Sequence, residues 1–145
     1  ATQPRRSFLS GGDAEGLLQQ VKEGIRLCFS AGFRKQDVAI VSYHGREHSR
    51  LMALDRLGPT SLRHFTGSYD LFGQPVFTDG EVLLESVYRF KGQAAPAVIF
   101  AEIDFASLDD GALRKLFVGA TRSMMKLVLV IEAQAAQLLL ARLDG

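Results

Sequence analysis

From residue 13 to residue 30 the apolar positions Leu17, Val21, Ile25, Cys28 and Phe29 fall at helical spacing and form one stripe. Asp13 is placed to cap the first turn and Gly32 to end the helix. The continuous apolar run Asp37–Tyr43 then predicts a strand buried on both faces, as in parallel sheets. A helix is predicted over about Glu47–Leu57, stopped by Gly58-Pro59, and a short strand over Leu62–Thr66. Gly73, Pro75 and Gly80 make the stretch Tyr69–Asp79 a hairpin or loop, in which Tyr69, Phe72 and Phe77 are expected to hold the loop down. Strands follow at Val82–Val87 and Ala97–Ile103. After them come a helix at Asp109–Ser123, a strand at Leu127–Ile131 and a last helix at Ala133–Leu143. Residues 1–12, with Pro4, a basic pair and Gly11-Gly12, read as a linker to a single domain spanning 13–145.

Strands alternating with helices imply an α/β fold of three layers, a mostly parallel sheet with helices on both faces. Ligands of such folds meet the loops at the carboxyl ends of the strands. Three segments occupy places that face a ligand. They are Tyr43-His44-Gly45-Arg46, the run from Ser86 through Tyr88, Arg89, Lys91, Gly92 and Gln93, and the helix bearing Arg114, Lys115, Gly119 and Arg122. On that helix Leu113, Leu116, Phe117 and Ala120 have the spacing of a core stripe. Lys115 and Arg122, seven residues apart, share another face with Gly119 between them. A glycine inside a helix costs about 1 kcal/mol relative to alanine, so packing or the approach of a ligand must hold it there. Two cations flanking bare backbone suit a phosphate, and a solvated basic face accounts for the same spacing.

Composition narrows the classes. The chain has 145 residues, 47% hydrophobic and 23% charged, as expected of a globular domain. No apolar run approaches the ~20 residues of a membrane span, and no leader is visible. Cys28 is the single cysteine, which rules out an internal disulfide and fits a reducing, cytoplasmic setting. A net charge of +1 argues neither for nor against a nucleic-acid partner. His44, His48 and His64 share no ligand spacing, so no metal is assigned. Glu102 and Asp104 alternate onto one side of a strand end, a place where Mg²⁺ is conceivable, although ordering of the next loop is the stronger reading.

Leu116-Phe117-Val118-Gly119-Ala120-Thr121-Arg122-Ser123, followed by Leu127–Val130, resembles helicase motif VI of the UvrD, PcrA and Rep group. Ser86–Pro96 is similar to motif V, and Asp37–Arg50 to motif IV, in the family's order. The resemblance implies the C-terminal RecA-like domain of a superfamily 1 DNA helicase, a P-loop NTPase-type domain without its own P-loop. No Gly-x-x-x-x-Gly-Lys-Ser/Thr run is present, so this polypeptide is not expected to hydrolyse ATP alone. ATP, with its Mg²⁺, would be held mainly by an N-terminal RecA-like domain of the same protein, and single-stranded DNA would be the track. By the same resemblance Arg122 would be an arginine finger, catalytic toward the γ-phosphate. Tyr43 would stack near the adenine. Arg46, Lys91, Gly92, Gln93, Lys115 and Gly119 would contact nucleotide, and Ser86, Tyr88 and Arg89 the nucleic acid. Two positions depart from the family pattern. His44 stands where a phosphate-contacting Arg is usual, and Ala94 where a ribose-binding Glu is usual. They favour the alternative of a degenerate helicase-like module that binds a protein or nucleic acid without motor activity.

Overall fold

The computed structural model describes residues 5–11 and 14–144. Its main sheet has seven strands. In sheet order these are β1 (Arg5–Gly11), β9 (Ser123–Glu132), β8 (Ala95–Ile103), β2 (Val38–Ser42), β7 (Val82–Ser86), β4 (Thr60–Arg63) and β3 (Arg56–Leu57). Every pairing is parallel except β3 with β4. A separate two-stranded hairpin is formed by β5 (Phe65–Tyr69) and β6 (Pro75–Phe77).

Strand alternation sends residues to two cores. One contains Val38, Ile40, Ile99 and Val128 and is covered by Val21, Ile25 and Cys28 of α1 (Ala14–Ser30). The other contains Val41, Phe100 and Leu129. It is covered by α2 (Val87–Phe90), α3 (Asp110–Ala120) and α4 (Ala133–Asp144). The three-layer α/β reading therefore holds. No described helix is long and apolar enough to cross a membrane.

Several local expectations are corrected. Residues 5–11 are not a linker but strand β1, in register with Lys126–Glu132 of β9. The remaining linker residues and the Asp13 cap lie outside the described residues. The predicted helix over 47–57 is absent, because side chains take the backbone donors a helix would use. Ser49 Oγ accepts from the amides of Leu51 and Met52, and the Glu102 carboxylate accepts from the Arg50 amide at 2.9 Å. The Leu62–Thr66 strand is split at His64, whose amide donates to Thr78 Oγ1, giving β4 and β5. On α3 the inward stripe runs through Leu116 and Gly119, and Phe117, predicted as core, is 67% exposed.

Candidate functional site

Helix α3 descends from the carboxyl end of β8 to the amino end of β9, so its two ends serve opposite edges of the sheet. Lys115 stands about seven residues, roughly 10 Å of helix rise, from Arg122. The predicted site residues accordingly divide into two groups instead of one cleft.

At the carboxyl edge, β2 ends in Ser42 and Tyr43, and β8 ends in a bulge. There the register slips between Phe100 and Ile103, and Glu102 takes a φ of +62°. The bulge breaks the alternation expected for Glu102 and Asp104 and sends them to different partners. Glu102 is buried and accepts from Ser42 Oγ at 2.8 Å, from Ser49 Oγ and from the Arg50 amide, which pins the 44–50 loop. Asp104 meets His44 Nε2 at 2.6 Å. With these acceptors committed, the two carboxylates order loops, and among the described residues no group of three His, Cys, Asp or Glu is arranged to hold a metal.

Tyr43 is only 5% exposed, its hydroxyl donating to the Ala112 carbonyl at 3.4 Å and its ring packed near Phe100 and Phe105. It is a core residue with no face free for a base, which corrects its assignment to the adenine. Ser86 is also buried, and its Oγ caps α2 by accepting from the Arg89 amide at 3.2 Å, so its hydroxyl is spent on helix capping rather than offered to a nucleic acid. Arg89 stacks 3.7 Å above the Phe65 ring and lies 3.6 Å from the Glu85 carboxylate. Burial holds Glu85 above the usual carboxylate range, opposed by the Ser86 amide and by Arg89 and Arg46. Arg46, expected among the nucleotide contacts, is exposed, with its guanidinium 5.9 Å from the same Phe65 ring. It belongs to the base of the hairpin, not to the Arg122 end of the domain.

Tyr88 remains open, at 60% exposure, and lines a pocket of about 280 Å³ between α2 and α3 together with Lys91, Arg114 and Lys115. The Lys115 ammonium sits 4.0 Å from the Tyr43 ring centroid and 4.9 Å from that of Tyr88. The sequence places Arg114 on a ligand-facing helix but assigns it no role. The i, i+3, i+4, i+7 spacing of Gly111, Arg114, Lys115 and Val118 along one helix face is the available signal.

At the amino edge, the loop from Lys91 to Ala94 leads into β8, and the Ala95 amide donates to the Arg122 carbonyl at 3.1 Å. This bond ties the Lys91-Gly92-Gln93 turn to the end of α3. The Arg122 Nε donates to the Val118 carbonyl at 3.1 Å, and no carboxylate among the described residues is ion-paired to its guanidinium. Gly92 has φ +83° and open space where a Cβ would stand, so its glycine serves backbone conformation, not close approach. Gln93 Nε2 donates back to the Arg89 carbonyl at 3.0 Å. Gly119 faces the sheet: a Cβ there would lie 2.2 Å from the Phe100 ring. Its role is helix–sheet packing, which corrects its place among the nucleotide contacts.

Residues 81–130, running from the entry to β7 into β9, match the family model of the UvrD-like helicase C-terminal domain. The resemblance to UvrD-like helicases holds. The matched segment contains Ser86–Pro96 and Leu116–Val130, two of the three stretches on which that resemblance was drawn, and leaves out Asp37–Arg50. It also spans both edges just described. The chain is similar in fold to the C-terminal domain of a possible DNA helicase from Lactobacillus plantarum WCFS1, at 14% identity and a TM-score of 0.59. That alignment covers 93% of this chain and 80% of the other. No curated protein matches the sequence.

Proposed function

We propose that the chain is the second RecA-like lobe of an ATP-driven, UvrD-like DNA translocase. It completes a nucleotide cleft whose phosphate-binding loop belongs to an N-terminal RecA-like lobe. The observation that carries this reading is the bond between the Ala95 amide and the Arg122 carbonyl, which joins the Lys91–Gln93 turn to the one end of α3 that bears an arginine free of carboxylates. A guanidinium held beside a glycine-containing turn fits the donor chemistry a triphosphate needs. In this role Arg122 stabilises charge developing on the transferred phosphoryl group, an effect worth ~10³–10⁵ in rate for arginine fingers. Lys91 and Gln93 position the nucleotide from the same turn, while the carboxyl edge faces single-stranded DNA.

The Lactobacillus neighbour comes from a possible DNA helicase, which supports DNA as the partner. A second reading, a lobe that binds without turning over nucleotide, is favoured by two features. His44 is committed to Asp104, and Ala94 offers no side-chain acceptor to a ribose. The two readings separate on ATP hydrolysis by a protein carrying this chain together with its N-terminal lobe. The motor reading expects hydrolysis stimulated by single-stranded DNA and none from the 145-residue chain alone. Strand binding without stimulated hydrolysis would select the binding module.

A further inference from the structure

The β5–β6 hairpin pairs with no strand of the main sheet, and a two-stranded hairpin by itself is marginally stable in water. Something besides its own ladder must therefore hold it. Its rings form a small cluster, with Phe65 lying 5.5 Å from Tyr69 and 6.0 Å from Phe77. Phe65 is only 6% exposed, yet it belongs to neither of the two apolar cores. Its cover comes from guanidinium groups. That of Arg89 lies 3.7 Å from the Phe65 ring centroid and that of Arg46 5.9 Å away, while Arg63 stands 4.4 Å over Phe77.

Of these three arginines, only Arg89 is also ion-paired among the described residues. Its Nε lies 3.6 Å from the Glu85 carboxylate at the end of β7, a side chain only 4% exposed. The Arg89 amide donates to Ser86 Oγ, so the backbone that carries the guanidinium is fixed as well. At the foot of the hairpin, the amides of His64 and Thr78 donate to Thr78 Oγ1 and the His64 carbonyl, and the His64 ring meets the Leu54 carbonyl. Those bonds fix where the hairpin starts and leave its direction to the Phe65 face. At the far end, Asp70 orders the turn by accepting from the Phe72 and Gln74 amides at 2.9 and 3.0 Å. Leu71 and Phe72 stand outside it, fully or almost fully exposed.

We infer that Arg89 is a positioning residue: its guanidinium, set between the Glu85 carboxylate and the Phe65 ring, latches the hairpin to the end of β7 and to α2. A guanidinium meets an anion along its edge and a ring on its face, which a compact ammonium does less well. This role differs from the nucleic-acid contact that the sequence assigns to Arg89. It takes no part in ATP hydrolysis, so it stands or falls independently of the proposed function.

Hydrogen exchange of the 145-residue chain, read residue by residue, tests the latch. The Asp70 and Thr78 amides report on the hairpin, since they donate to the Gln74 and His64 carbonyls at 2.9 and 2.7 Å. Amides of β2 and β8 report on the body. A cation–aromatic contact changes an equilibrium by roughly 2- to 30-fold. Arg89→Gln is expected to speed hairpin exchange by that factor while β2 and β8 keep wild-type rates. Arg89→Lys keeps the charge without the plane and should fall between. Phe65→Tyr keeps the ring and should keep the protection. In a Phe65→Leu background, Arg89→Gln should add little, because the ring it acts on is gone.

Hairpin exchange at the wild-type rate in Arg89→Gln would overturn this role. So would an equal acceleration in β2 and β8, the mark of a general loss of stability. Binding of a labelled oligothymidylate gives the signature of the other assignment. If Arg89→Gln lowers the slope of log affinity against log salt by about 0.7 and leaves hairpin exchange unchanged, Arg89 is a nucleic-acid contact and the latch falls.

Discussion

Replacing Gly119 by alanine sets two effects of opposite sign against each other. Alanine inside a helix gains about 1 kcal/mol over glycine from backbone entropy. Against this, the new Cβ would lie 2.2 Å from two carbons of the Phe100 ring and 2.8 Å from a third. Contacting carbons sit at about 3.5–4.0 Å, so either the ring or the helix must move by more than ~1 Å. Phe100 is fully buried between β2 and β9, with no solvent into which to swing. Overpacking of such sites costs typically 1–3 kcal/mol, and here three ring atoms are met at once, so the upper end applies. The net expectation is destabilisation by about 2 kcal/mol. At ~2–4 °C per kcal/mol for a domain of this size, that lowers the melting temperature by about 4–8 °C. Thermal unfolding followed by circular dichroism measures it. A Phe100→Leu background, which removes the ring, should shrink the penalty markedly, because the two sites are in contact and their effects are not additive. A Gly119→Ala protein that melts at or above the wild-type temperature would refute the packing account. It would return Gly119 to the role first read from the sequence, a bare patch of backbone for a phosphate.

Two further outcomes follow from the buried polar groups. Glu102→Ala strands the Ser42 and Ser49 hydroxyls and the Arg50 amide, and an unmet buried donor costs ~1–3 kcal/mol. Glu102→Gly loses the same bonds but relieves the left-handed backbone at φ +62°, so denaturant titration should find it less destabilised than Glu102→Ala; the reverse order would remove strain from the account. Burial pushes the Cys28 thiol up to about 11, so it should resist thiol reagents at pH 8 until the protein unfolds, and rapid native labelling would contradict this. Because the folded value is raised, the stability this group contributes is present below its ordinary value of 9.0 and is lost as pH rises through about 11.

The elements with strong periodicity were legible in the sequence. The stripe of α1, the apolar runs of β2 and β8, and the order of α3, β9 and α4 all stand where hydrophobic spacing put them. What escaped was decided by tertiary partners. The loop at 44–55 has the composition of a helix, yet its amides are claimed by Ser49 and by Glu102, a residue some fifty positions away. β1 has no marked alternation and exists through its pairing with β9. Phe117 belongs by type to a core stripe, but Gly119 brings the helix against Phe100 on a different face and turns Phe117 outward.

The candidate site residues divide for the same reason. Motif order offered Tyr88, Lys91 and Arg122 on the same footing as Tyr43, Ser86 and Gly119, and only the fold shows that the chemistry of the last three is consumed by packing and capping. The unpaired charge of Arg114 becomes visible only when α2 and α3 are set side by side. Phe117, Met124 and Met125, all exposed, flank Arg122 in sequence at the lower end of α3, the edge on which the motor reading seats the N-terminal lobe.

The central claim is that Arg122 acts on phosphate held by another lobe, and it is tested most directly by strand-stimulated ATP hydrolysis with Arg122→Ala beside wild type, in a protein carrying both lobes. The account predicts that kcat falls by ~10³–10⁵ while ATP affinity is largely retained. A variant as active as wild type, or one whose whole defect lies in ATP affinity, would contradict it.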